Sequence, residues 1–452
     1  MLSAAPMTYS PAKKSTAYAS AVIVAAFVIM TARLVVIISK NAVNMLYSDE
    51  WDLYGAFRHA SLRELFFWQA GPHRQGLAFL VMKLVAQRSH WNTRAAAFLL
   101  LGFSLAGALI ATWLKKRLFG NFTAWDAIIP LIFLAPIQYE IFLGSPNPSS
   151  TSFSLSMVML CALAWTIPAP LVRWIAVLVA NFLGLYSGYG FFLGVVTPML
   201  LFLEIFRELR ARKRGCWPAV AALMAALASL ASFFIRYHFL PAAECFRFPE
   251  HPLWKYPWFM SLMFANLFRL KGHGPAATLA GAALVIAAIL LALRHVGRLA
   301  SRYEGRAYDA VMVLLLGFSL LYAAAAAIGR VCFGVEYAQS SRYSLHLFPA
   351  LLAFYFALAA KAAGKGQRYL LTGYAASLLI AATFLAPRDR RHIAFFRDVK
   401  QSWKQCYVAS ADLARCDREA ALPIHTASQA AQVADTLAYM KRNRLNLFAE
   451  AP

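Results

Sequence analysis

Three of the chain's 20 acidic residues, Asp49, Glu50 and Asp52, fall within the stretch "SDEWD", just after the first long apolar run. A carboxylate held at a membrane surface can take a proton from an attacking hydroxyl or amine, bind a divalent cation such as Mg or Mn, or cap a helix and face its macrodipole. Capping accounts for one acid. It leaves the others unexplained beside a leaflet whose anionic headgroups repel them. Further on, His73 and Arg74 in "AGPHRQGL" follow a Gly-Pro break and suit either a bound phosphate or the phosphates of interfacial lipid. Arg330, Arg342 and Tyr343 bracket "GRVCFGVEYAQSSRY", where guanidinium forks match phosphate oxygens; Glu336 in the same loop is the alternative partner. Gln138 and Glu140 in "QYEIFL", and Asn147 in "SPNPSS", offer the amide and carboxylate groups that sugar hydroxyls require, although Asn147 between prolines also fits a turn. Tyr189 in "YSGYG" suits either sugar stacking or the interfacial aromatic belt.

The elements that must position these groups are membrane helices. Of 452 residues, 61% are hydrophobic and 14% charged, a composition far from that of a soluble domain. The net charge of +24 does not imply nucleic acid, because basic loops between apolar spans set topology. Six cysteines occur with no CxxC and no Cys/His cluster at ligand spacing, so neither a zinc site nor a redox dithiol is supported. The first apolar run is too long for a signal peptide's core and lacks a small-residue cleavage site, so it reads as a retained span.

At about 20 apolar residues per crossing, the sequence predicts about eleven spans, near 18–39, 94–114, 126–143, 149–167, 172–188, 190–206, 217–237, 276–293, 308–328, 344–361 and 368–386. The fold class is therefore all-α and polytopic. Basic clusters at 13–14, 115–117, 207–215, 294–306 and 361–368 fall on one face, the cytoplasmic one. The other face receives 40–93, 138–150, 186–190, 238–275, 329–343 and the tail, so the chemical-looking groups share one external side. An odd number of spans puts the N-terminus inside and the C-terminus outside.

Residues 1–386 form the transmembrane unit and 387–452 an external helical tail. Within the 40–93 loop, Trp51, Tyr54, Phe57, Leu62, Leu65 and Phe66 share a helical stripe, which predicts helices lying in the interface plane. The stretches 76–91 and 257–272 read the same way. The tail carries amphipathic stretches near 393–413 and 427–444, and "RDRRH" at 388–392 reads as an anchor facing lipid phosphates. Arg33, inside the first span, calls for snorkelling or an internal partner. Cys406 and Cys416 can bridge only if the helix breaks between them, since a continuous helix holds them about 15 Å apart.

These features resemble the GT-C class of membrane glycosyltransferases that use polyprenyl-phosphate-linked sugars, including the protein O-mannosyltransferase and aminoarabinose transferase branches. That class carries an Asp-Glu pair in the first external loop, an interfacial helix, and then a His-Pro-Pro signature. Here Asp49 and Glu50 supply the pair and His73 the histidine, with Arg74 and Gln75 where the prolines would stand; "SSRY" at 340–343 is similar to the class's late arginine-tyrosine segment. The resemblance covers roughly the first 120 residues, with an echo at 329–349. It implies an inverting transfer from a polyprenyl-phosphate (undecaprenyl-type) sugar to a lipid, glycan or protein acceptor at the periplasmic face of a bacterial inner membrane. Asp49 would be the base, with Glu50 supporting it or binding the divalent cation. Arg330, Arg342, Tyr343, His73 and Arg74 would meet the donor phosphate, and Asp52, Gln138, Glu140, Asn147 and Tyr189 the sugar or acceptor. Two other readings stand beside it: an O-antigen ligase or polymerase using a polyprenyl diphosphate, and a lipid or solute transporter. The last would show internal repeats and mid-bilayer charges, and the sequence shows neither.

Overall fold

Long apolar runs bounded by caps become helices. Asn92 starts one by accepting the Arg94 N–H at 2.9 Å, and Gly120, in the left-handed region at φ 78°, ends it. The computed structural model describes residues 13–210, 217–240, 245–301, 306–361, 364–425 and 429–449. Helix α1 (Lys13–Asn41) leads into a layer made of α2 (Glu50–His59), α3 (Leu62–Phe66), the short strands β1 (Gln69–Ala70) and β2 (His73–Arg74), and α4 (Gly76–Arg88). The bundle continues through α5 (Thr93–Phe119), α6 (Ile128–Phe133), α7 (Tyr139–Leu143), α8 (Ser152–Ala164), α9 (Pro170–Leu185), α10 (Phe191–Arg210) and α11 (Trp217–Phe233). After α12 (Lys255–Leu267), α13 (Pro275–Ser301) and α14 (Arg306–Arg330), single 3₁₀ turns run from 331 to 347. Then come α15 (Phe348–Ala359), α16 (Lys365–Thr383) and the tail helices α17 (Pro387–Ser410), α18 (Leu413–Glu419) and α19 (Ala430–Arg442).

The protein is a polytopic helical membrane protein. Among the described residues, eight helical segments are long and apolar enough to cross a membrane, and three shorter apolar helices, α8, α9 and α11, stand between them. They fall one for one on the eleven expected spans. The last long segment, Lys365–Ser410, breaks at 384–386 into apolar α16 and polar α17, so the span is α16. Parts of the basic clusters at 207–215, 294–306 and 361–368 lie outside the described residues. Charges that remain inside are paired: Lys115 meets Asp126 at 2.9 Å and Arg173 meets Glu204 at 2.8 Å. Arg33 donates to the carbonyls of Ala382 and Thr383 at the end of α16.

The helices expected at the interface also pack against protein, while Leu62 of the predicted stripe stays 63% exposed. Trp51 and Tyr54 are fully buried and Phe57 nearly so, in one core with Phe79 and Met82 of α4 and Trp403, Val433, Leu437 and Met440 of the tail. In α12, Phe259, Leu262 and Phe264 are buried in the main bundle core. An amphipathic stripe shows that one face is covered, not what covers it. Within this helical fold, one short hairpin pairs Gln69 with Arg74 and Ala70 with His73 around Gly71-Pro72. In the tail, Ala411 adopts the left-handed region at φ 54°, stopping α17 and letting Cys406 bond Cys416. A second disulfide joins Cys245 to Cys332.

Candidate functional site

The six segments expected on the external face do meet, the 186–190 turn through Tyr189, whose ring centre lies 4.2 Å from that of His73. Gln69 of the first loop donates to the His238 carbonyl at 2.5 Å, Asn147 to Gln75 at 3.1 Å, and the Ser48 N–H to the Ile424 carbonyl of the tail at 2.7 Å. Ser340 donates to Glu140 at 2.6 Å.

Asp49 occupies the N-cap position of α2, but its side chain caps no backbone N–H; its contact is the Ser48 hydroxyl at 3.3 Å, and it is exposed. The capping explanation therefore fails for this acid, and its carboxylate is left open. Glu50 turns the other way. It is fully buried, with Oε2 accepting the Tyr47 N–H at 2.9 Å. Burial pushes its carboxyl up to about 8, against the lowering effect of Lys400 and of that N–H. Lys400 donates to the carbonyls of Leu143 and Gly144 at 3.0 and 2.5 Å and lies 5.0 Å from the Tyr47 ring centre. It thereby ties the tail and the acidic loop to the end of α7.

One turn back on α7, Glu140 grips the late loop. Its Oε2 accepts the Ser340 hydroxyl and, at 3.2 Å, the Arg342 N–H, while its own N–H donates to Ser341 at 3.2 Å. The Arg342 side chain is thus aimed by its backbone. Its guanidinium touches the Tyr337 hydroxyl and lies 5.3 and 5.5 Å from the ring centres of Tyr337 and Tyr343. Among the described residues it forms no ion pair with Glu336. Tyr343 is buried, its hydroxyl without a hydrogen-bond partner.

Two glycines allow His73 and Tyr189 to meet. Gly76 has φ 59°, and a Cβ there would fall 2.3 Å from the Tyr186 carbonyl oxygen; at Gly188, φ 54°, a Cβ would fall 2.3 Å from the Ser150 Cα. With both backbones in close contact, the His73 and Tyr189 ring centres stand 4.2 Å apart. Burial and the charge of Arg330 push His73 down to about 4, so its imidazole is neutral at pH 7. Below Tyr189 lies His346, 4.8 Å away ring to ring and bonded through Nε2 to Ser154 at 2.9 Å.

The charges of Asp49, Arg330 and Arg342 all act on the Tyr189 hydroxyl. Those of Asp49, Arg342 and Glu140 act on Tyr47, whose hydroxyl burial pushes up to about 12. The acidic loop and the arginine loop both fasten to α7, through Lys400 and Glu140 respectively, with Asp49 and Arg342 exposed and His73, Tyr189 and Arg330 half-buried.

Other singled-out residues lie around this cluster as supports. Arg74 is buried and donates to the carbonyls of Phe67, Phe233 and Ile235 at 2.6, 3.0 and 2.6 Å. Asn147 holds Gln75, Gln138 is buried with its amide on the Phe133 carbonyl at 2.7 Å, and Asp52 accepts from Gln429 of the tail at 2.7 Å. Among the described residues, no three His, Cys, Asp or Glu side chains gather to hold a metal ion. Asp49 and Glu50, the pair singled out for a divalent cation, diverge, one exposed and one buried, and so do not fit a shared cation. Lys400 and His346 were not legible as site residues: each sits singly within an otherwise unremarkable helix or apolar run.

The depressed His73 has a consequence for stability. Between about pH 6.5 and the folded value near 4, the unfolded chain binds a proton that the folded chain does not, so stability is full above that window and falls as pH drops through it. In thermal unfolding between pH 7 and 4.5, the wild type is expected to lose more stability than His73→Gln. Equal losses would contradict a neutral imidazole at this position.

No protein-family model matches the chain, and neither does any curated protein. Among solved structures, it is similar to the crystal structure of ArnT from Cupriavidus metallidurans bound to undecaprenyl phosphate, at 15% identity and a TM-score of 0.41, covering 94% of this chain and 77% of that one.

Proposed function

We propose that the protein is an inverting glycosyltransferase that moves a sugar from a polyprenyl-phosphate donor to an acceptor at the periplasmic face of a bacterial inner membrane. The observation that supports this reading is that the acidic loop and the arginine loop are both fastened to α7: Lys400, 5.0 Å from the Tyr47 ring centre, holds the Leu143 and Gly144 carbonyls, and Glu140 holds the Arg342 N–H, while the Asp49 carboxylate stays open. In this scheme Asp49 takes the proton from the acceptor's nucleophile as it attacks the anomeric carbon. The bond from that carbon to the phosphate oxygen breaks on the opposite face, and the sugar passes through an oxocarbenium-like state. Arg342 and Arg330 stabilise the charge that builds on the departing phosphate, beside the Tyr343 ring. Neutral His73 acts as a hydrogen-bonding group there rather than as a third cation. Tyr189 offers its ring to the sugar.

Glu50, Glu140 and Arg74 are positioning residues. Glu140 sets the Arg342 backbone, Glu50 the turn before Asp49, and Arg74 the hairpin that carries His73. The periplasmic assignment draws support from the Cys245–Cys332 and Cys406–Cys416 disulfides, which belong in an oxidising compartment and lie in the segments that also carry the cluster. This orientation puts the N-terminus in the cytoplasm and the C-terminus in the periplasm.

Purified protein supplied with sugar-bearing polyprenyl monophosphate and diphosphate donors tests the reading. Turnover of the monophosphate donor is expected. Turnover of the diphosphate alone would overturn it in favour of a ligase or polymerase reaction, and turnover of neither would remove the transferase reading.

A further inference from the structure

Directly after the last span, "PRDRRHIAFF" begins a tail helix with four basic residues in five positions. Arg388, Arg391, His392 and Phe395 are spaced i, i+3, i+4 and i+7, so α17 presents them on one face, and together they line a concavity. Asp389, the one acid within this run, is turned away and neutralised: it is buried, with Arg269 at 2.6 Å and Lys271 at 3.7 Å. Among the described residues, neither Arg388 nor Arg391 forms an ion pair, and both are exposed. Arg388 and Arg391 thus give the concavity a positive field of its own.

The position chooses the source of the anion that such a field attracts. Phe384, 66% exposed, ends the span, and Phe395, 42% exposed, sits within the concavity; aromatic rings flanking arginines at the end of a span mark the headgroup layer. The concavity is also anchored. His392 Nδ1 lies 3.3 Å from the Tyr139 hydroxyl. Tyr139 and Glu140 are adjacent but face different partners, His392 on one side and the 340–342 turn on the other.

We propose that this concavity on α17 binds the phosphate of an anionic lipid headgroup, at a place separate from Arg330 and Arg342. Arg388 and Arg391 supply the charge, His392 and Tyr139 the fixed polar wall, and Phe395 the contact with the upper acyl chain. The site stands whether or not the protein transfers sugar.

The full-length protein in detergent, titrated with phosphatidylglycerol or phosphatidylcholine and read by native mass spectrometry, tests this. Phosphatidylglycerol is expected to bind more tightly, with an affinity that weakens as salt rises. In R388Q/R391Q that affinity is expected to drop about tenfold or more, with an unchanged unfolding temperature because both side chains are exposed. The single charge reversal R391E should show the same direction. Inorganic phosphate at millimolar concentration should not displace the lipid. R342Q should leave lipid binding as it is. Wild-type phosphatidylglycerol binding by R388Q/R391Q, loss of binding in R342Q instead, or displacement by inorganic phosphate would each overturn the proposal: the first two place the lipid elsewhere, and the third makes this a small-anion site. Transfer of sugar by R388Q/R391Q has no bearing on the outcome, so a failure here and a failure of the proposed reaction remain distinguishable.

Discussion

Asp49→Asn is expected to lower the rate of sugar transfer by about 10²–10⁴-fold, the usual contribution of a positioned general base, while the protein folds and inserts as before. The substitution keeps shape and removes only the capacity to accept a proton. Stability should change by no more than about 0.5 kcal/mol, as for a surface site that carries no cap and no ion pair, because the side chain leaves the N-terminus of α2 uncapped and its Ser48 contact can be kept by an amide oxygen. The contrast with Glu50 is informative. Glu50→Gln alters a buried carboxyl bonded to the Tyr47 N–H, so its effect should appear in thermal unfolding as well as in rate. Initial rates with the monophosphate donor, measured beside unfolding temperatures in the same detergent, separate the two. Full activity in Asp49→Asn would take the base assignment away from this residue, and with it the reason for an acidic cluster at a membrane surface.

The membrane frame was legible because a bilayer imposes its thickness on the chain: each apolar run of about 20 residues had one structural solution. The fate of the amphipathic stretches was not. Trp51, Tyr54 and Phe57 make a stripe that fits lipid or protein equally, and the partner that decides it, with Trp403 and Leu437, lies more than 340 positions away. The arginines show the same limit at the site. The sequence puts Arg74 and Arg342 on the same, expected external side, yet one is consumed by three carbonyls and the other remains exposed above two tyrosines. The difference rests on where the end of α11 falls, which is a tertiary fact. Cys406 and Cys416 were legible as a condition: the sequence could state that a bridge needs a helix break, and Ala411 supplies it. Lys400 left no local trace, because its partners are the backbone carbonyls of Leu143 and Gly144.

Arg342 carries the second large expected effect, and it tests the other half of the chemistry. Its contact with Glu140 runs through the backbone N–H, which alanine and lysine retain, and its side chain is exposed. Arg342→Ala should therefore keep the loop in place and the protein folded, yet lower kcat by about 10²–10³-fold, the loss expected when a donor to developing negative charge is removed. Arg342→Lys restores the charge without the planar fork that meets two phosphate oxygens together and stacks on Tyr337 and Tyr343, so its rate should fall between the two. A guanidinium that acts on the leaving phosphate is worth more in the transition state than in the bound donor, because charge accumulates there as the anomeric bond breaks. The loss should accordingly appear mainly in kcat, with KM for the donor changed less. If Arg342→Ala raised KM and left kcat intact, the arginine would be a docking contact for the lipid-linked sugar, and the charge on the leaving group would have to be met by Arg330 alone.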